Sequence, residues 1–204
     1  MTLTKTAEET RPAVPALEAK WPQQGEWTRE DWLRLPNDGF RYEVLNGELH
    51  ITPPPTIQHQ LTSANLFSAL RDFVRRHDLG YVLYAPCGVY LPTHPVPVQP
   101  DIFFIQTERR EIIEEEYVEG APDLVVEVLS PSNWLYDRRE KFQAYQNAGV
   151  PEYWIVDYRA RTIDVFFLEK GTYTLLNQYK PGDMAQSRVL KSFQVAVNEV
   201  FAHK

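Results

Sequence analysis

Apolar and polar positions along this chain switch between two periods, one suited to strands and one to helices. The clearest strand signal is Leu124-Val125-Val126-Glu127-Val128-Leu129, an almost continuous apolar run with one carboxylate at its centre. Its valines and its bounds, Pro122 before it and Ser130-Pro131-Ser132-Asn133 after it, predict a strand covered on both faces. A helix is predicted next over residues 134–148, with Gly149 as its stop. Upstream, Thr28 caps a short helix that closes at Pro36. Residues 41–52 predict a hairpin turned by Asn46-Gly47, a pair suited to a tight turn of the primed type. Apolar residues at 57, 61, 66, 70, 73 and 74 predict a long helix over residues 57–78, with Gly80 as the stop. Strands are expected over 81–91, 99–105, 151–157, 162–168 and 172–177, and a short terminal helix near 195–201. The charged run 108–119 reads as a solvated helix or loop. Helices interleaved with strands predict an α/β fold built on a central mixed β-sheet flanked by helices.

Composition narrows this picture. At 204 residues, 43% hydrophobic and 13% aromatic, the chain suits one globular domain, expected over residues 26–204, behind a flexible, proline-bearing N-terminal arm at 1–25. No apolar run approaches the ~20 residues that span a bilayer, so no membrane role is expected. The first residues lack the apolar core of a signal peptide, and Cys87 is the sole cysteine, which together suggest a cytoplasmic address. The net charge of −7 argues mildly against a general nucleic-acid binder, although a local basic groove can coexist with it.

Candidate chemistry rests on carboxylates. There is no phosphate-binding glycine loop, no GxSxG, no HExxH and no cysteine pair, and the histidines show no metal-ligand spacing. Glu43, Asp101, Glu127 and Asp157 stand on or beside apolar strands. A buried Glu needs a partner, because an isolated carboxylate in a dry interior costs several kcal/mol. If the strands of Asp101 and Glu127 are neighbours, both carboxylates can share one end of the sheet, where a hard cation with oxygen ligands such as Mg²⁺ would relieve their repulsion. A structural ion-pair network accounts for them equally well at this point. On the following helix Lys141 falls within the apolar stripe of Trp134, Tyr145 and Ala148, about 20° from Trp134 at 100° per residue. It either snorkels outward or supplies the cation for Glu127. Two carboxylates and a lysine form a set in which the carboxylates hold a metal and the lysine serves water or phosphate.

Pro100-Asp101, Glu127 and a following lysine resemble the PD-(D/E)XK nuclease superfamily. More closely, the chain resembles the Uma-two family of restriction-endonuclease-like proteins. The matching stretches are RYEVLNGEL at 41–49, His59, Pro100-Asp101, PDLVVEVLSPS at 122–132, Asp137, Lys141, Tyr145 and GVPEYWIVD at 149–157. The superfamily lysine usually lies two residues past the second carboxylate, where this chain has Leu129; Lys141 matches nucleases in which it has moved to the next helix.

The resemblance implies a restriction-endonuclease-like fold and a Mg²⁺- or Mn²⁺-dependent endodeoxyribonuclease, a hydrolase of phosphodiester bonds acting on nucleic acid, with DNA expected. Asp101 and Glu127 would be metal ligands and Lys141 would assist water or phosphate. Glu43 would add a ligand or base, set against a structural pairing with Arg41. His59 is expected to be a hydrogen-bonding group at a helix start, Ser130 and Ser132 turn residues, Asp157 structural, and Asp137 a neutraliser of Lys141. Arg71, Arg75 and Arg76 are candidate phosphate contacts, with a solvated helix face as the plainer reading. A homodimer is expected by analogy with nucleases that cut both strands. The rival reading is a non-catalytic binding module that keeps the fold; a carboxylate-pair glycosidase fits Lys141 least.

Overall fold

The computed structural model describes residues 21–130 and 137–202. The hairpin forms where Asn46-Gly47 predicts it, β1 (Arg41–Leu45) pairing antiparallel with β2 (Glu48–Thr52). Asn46 and Gly47 both have positive φ, 53° and 78°, as a primed turn requires. Gly47 also lies so close to the Gly25 carbonyl that a Cβ would collide with it. Before the hairpin stands the helical turn α1 (Arg29–Trp32), capped reciprocally by Thr28 and Asp31. Within the stretch expected to be a mobile arm, residues 21–25 lie against the hairpin. The Gln24 side chain bonds both the N–H and the C=O of Leu49, and Trp21 stacks on Trp27.

The long helix α2 (Ile57–His77) begins at its cap Thr56 and ends one residue earlier than expected, at Asp78 in the left-handed conformation. Gly80 is not the stop; it opens β3 (Gly80–Tyr84) against the Ile105 carbonyl. The strand expected over 81–91 divides at Ala85-Pro86, because proline has no N–H to continue a ladder. Its second part, β4 (Gly88–Tyr90), belongs to a different sheet. β5 (Ile102–Gln106) follows. The charged run then forms a 3₁₀ turn, Thr107–Ile112, and a short strand β6 (Tyr117–Glu119), which buries Val118 and pairs parallel with β4. After β7 (Leu124–Val128) the described chain resumes as one π-helical turn, Asp137–Lys141, leading into α3 (Phe142–Ala148). The helix start expected at Trp134 lies outside the described residues. The remaining elements are β8 (Glu152–Asp157), β9 (Thr162–Glu169), β10 (Thr172–Tyr179), β11 (Met184–Gln186), β12 (Gln194–Ala196) and α4 (Val197–Val200).

Six strands form the central sheet in the order β10-β9-β8-β7-β5-β3. It is mixed as expected: β7 and β8 are parallel, joined across the π turn and α3, and the other neighbours are antiparallel. Alternation along the buried strands divides the core in two. Leu124, Val126, Val128, Ile102, Phe104, Trp154 and Val156 face α2, through Leu66, Leu70 and Val74. Val125, Leu129, Phe103, Ile105, Tyr153 and Ile155 face α3 and β4, through Ala144, Tyr145 and Val89. Every residue of β7 is buried, which is why its sequence reads as a run. The hairpin has a small core of its own around Trp27, Tyr42, Val44, Leu49 and Val96. No helix among the described residues is long and apolar enough to cross a membrane.

Candidate active site

The register of β5 and β7 pairs Ile102 with Val126, so Asp101, just before β5, lies opposite Glu127. Directly opposed residues of an antiparallel pair share a face, and the two carboxylates therefore meet at one end of the sheet. Glu127 is 1% exposed and Asp101 6%. Asp101 Oδ2 accepts the Val128 N–H at 2.9 Å and lies 3.2 Å from His59 Nε2; its Oδ1 accepts from Arg41 Nη1 at 3.3 Å. Burial pushes this carboxyl up, but the Arg41 charge, then the His59 hydrogen bond, outweigh it and hold the group well below the usual carboxylate range.

Lys141 is 1% exposed and does not snorkel. Its Nζ donates to Glu127 Oε1 at 2.8 Å and lies 3.3 Å from Glu43 Oε1. The Tyr145 hydroxyl donates to the same Glu127 oxygen at 2.7 Å. Burial raises the Glu127 carboxyl above its ordinary range, Lys141 opposes that shift, and Asp101 adds to it. Burial, then the Glu127 charge, pushes the Tyr145 phenol well above its ordinary range. Lys141 closes a π turn, so the even 100° spacing assumed for a plain helix does not hold through it. Such turns, with one residue more than an α turn, often occur where a side chain has been re-aimed toward a functional site.

The hairpin completes the cluster. Glu43 and Arg41 share a face of β1 because they are two residues apart. Glu43, fully buried, accepts the Gln99 N–H on Oε1 at 2.7 Å, while Arg41 donates to the Gln99 carbonyl at 2.7 Å. Arg41, weighed as a structural partner for Glu43, thus also reaches Asp101. Glu43 Oε2 is buried without a hydrogen-bond partner among the described residues. Asn46 at the turn bonds Glu140 beside Lys141 at 3.3 Å, joining hairpin and π turn.

The residues present fit a divalent metal of the Mg²⁺ kind. The donors are carboxylate oxygens, and one of them, Glu43 Oε2, is an unpartnered buried atom. Among the described residues, no group of three or more His, Cys, Asp or Glu side chains is placed to hold a metal ion. Mg²⁺ does not need one, because it keeps several waters and takes one or two carboxylates.

Other candidates fall elsewhere. Asp157 Oδ1 accepts from the N–H groups of Arg159 and Ala160 and shapes a turn. Arg71, Arg75 and Arg76 are exposed on α2, roughly 18–25 Å along the helix from His59 at 1.5 Å per residue. Ser132, Trp134 and the Asp137 side chain lie outside the described residues. His59 lies at a helix start as a hydrogen-bonding group, as expected, with Asp101 as its partner; the sequence reading passed over Glu152. The latter is buried at the start of β8, accepting from Trp154 Nε1 at 2.7 Å and from the N–H groups of Arg188 and Val189 at 2.7 and 2.9 Å. Pro151 and a charged residue entering an apolar strand were the only signals for it.

A mixed sheet carrying an aspartate, a glutamate and a lysine at one end places the molecule in the restriction-endonuclease-like class. A crystal structure from Anabaena variabilis, described as a "putative nuclease belonging to DUF820", superposes with a TM-score of 0.69 at 18% identity, covering 84% of this chain and 96% of that one. The chain belongs to the Uma2 family, described as "Putative restriction endonuclease", which it matches over residues 29–198. No curated protein gives a significant sequence match. Family and fold together support a nuclease.

Proposed function

We propose that the protein is a metal-dependent endonuclease hydrolysing phosphodiester bonds, with DNA as the expected substrate. The observation that carries this reading is the meeting of Asp101, Glu127, Glu43 and Lys141, drawn from four separate segments, in one buried cluster. Asp101 and Glu127 are the residues that would hold Mg²⁺ or Mn²⁺, with Glu43 beside them on Lys141 as a candidate base. The ion, when bound, would acidify water and draw charge from a phosphate oxygen. Lys141 places its Nζ among carboxylates, where it can offset charge developing on the phosphate or orient a water. Arg41 and His59 hold Asp101 ionised and ready to accept a cation. A homodimer would use a sheet edge such as β3, where Tyr81 and Tyr84 are partly exposed; sedimentation measures it.

A second reading has one observation in its favour. Asp101, Glu127, Glu43 and Lys141 are almost wholly buried, as in an ion-pair network that supports a binding module without turnover. Incubating the purified protein with DNA and with RNA in Mg²⁺ or Mn²⁺, beside Glu127→Ala and Lys141→Ala, separates the two. Cleavage by the wild type that both variants lose supports the enzyme. Cleavage surviving in both points to a contaminant or another site, and binding without cleavage supports the module.

A further inference from the structure

We propose that His59 is a positioning residue whose Nε2–H fixes the orientation in which the Asp101 carboxylate meets a divalent cation. This rests on the nuclease reading above. Thr56 Oγ1 accepts the backbone N–H of His59 at 3.2 Å, which fixes the first turn of α2. Leu66, Leu70 and Val74 hold the rest of that helix against the sheet. The imidazole is therefore carried on a rigid element, not on a loop. It reaches Asp101 Oδ2, the same oxygen that takes the Val128 N–H from β7, while Arg41 takes Oδ1. The carboxylate is thus gripped on both oxygens, from α2, β7 and β1, and cannot swing about Cβ–Cγ without breaking a bond.

The ring nitrogens are not equivalent. An ionised carboxylate only accepts, so Nε2 carries the hydrogen. Nδ1 is buried and has no partner among the described residues. A ring kept only to fill apolar space would be better replaced by leucine, which strands no nitrogen. The unpartnered Nδ1 is tolerated because the position needs the donor on the other side.

The test titrates Mn²⁺ calorimetrically into the metal-free full-length wild type, His59→Gln and His59→Phe. Glutamine can place an amide N–H near the position of Nε2, whereas phenylalanine keeps the ring without a donor. Removing an orienting partner of a metal ligand typically costs 10–100-fold, so His59→Phe should bind Mn²⁺ about 10–100-fold more weakly and His59→Gln within about threefold of wild type. Nitrogen-15 spectra of the wild type should show the hydrogen on Nε2. An Nδ1–H tautomer overturns the proposal whether or not the variants fold. Equal affinity in wild type and His59→Phe overturns it while leaving the nuclease reading intact, and equal losses in both variants overturn the donor role. A wild type that neither binds Mn²⁺ nor cleaves overturns the nuclease reading and this inference with it.

Discussion

Glu127 and Glu152 lie on adjacent parallel strands, both almost fully buried, both with carboxyl groups raised above the ordinary range chiefly by burial. Their surroundings differ in kind. Glu152 is satisfied by an indole N–H and two backbone N–H groups, all neutral, and it fastens the segment around Arg188 to the sheet. Glu127 shares one oxygen between an ammonium and a phenol and faces another carboxylate across the strand pair. Donors built into the backbone make a carboxylate into a latch. Donors on side chains, beside a second negative group, leave it able to exchange one partner for another. Burial or a raised pKa alone would not tell these two glutamates apart.

The contrast can be broken most forcefully at Lys141. Lys141→Met should lower cleavage by about 10²–10³-fold, the usual loss when a group stabilising transition-state charge is removed. It should also destabilise the fold by about 3–5 kcal/mol at pH 8, since Glu127 and Glu43 lose a buried counter-ion. Urea unfolding should show a smaller penalty as pH falls, because Glu127, its carboxyl raised by burial, takes up a proton and then no longer needs the cation. Glu152→Ala should cost about 1–3 kcal/mol in the same assay, because stranded N–H donors carry that penalty, and should leave Mn²⁺ affinity unchanged. Tyr145→Phe removes one neutral donor from Glu127 and should cost about 1 kcal/mol by thermal unfolding. The smallest effect concerns pH. A carboxyl raised in the folded state contributes stability that is full below its unfolded value, near 4.5, and is lost as pH rises through the folded value. Glu152→Gln should therefore flatten the fall in wild-type stability above pH ~4.5, measured by urea titration across pH.

Much of this arrangement was legible before any coordinates. Asn46-Gly47, the spacing of α2 and the apolar run of β7 are local signals, and each formed the element it predicts. The pairing of Asp101 with Glu127 followed once β5 and β7 were taken as neighbours. What escaped was either too short or too distant. Pro86 divides one expected strand between two sheets, and the three-residue β6 hides one buried valine in a run of glutamates. His59 was expected to form a hydrogen bond at a helix start, but its partner, Asp101, lies on another element far along the chain and no local pattern named it. Glu152 is satisfied mainly by backbone N–H groups, which any residues could have supplied. No side-chain code announces such partners.

The hairpin's turn is made of neighbours, but its two working charges are not. Arg41 and Glu43 leave the ribosome well before Asp101, and earlier still than Lys141, so both are made before the partners they later meet. Chains that fold as they are made acquire distant contacts last. The ion pairs that tie Glu43 to Lys141 and Arg41 to Asp101 are of that kind. Synthesis itself therefore delivers Arg41 and Glu43 before either of their partners, and the site cannot be complete until Lys141 has been made.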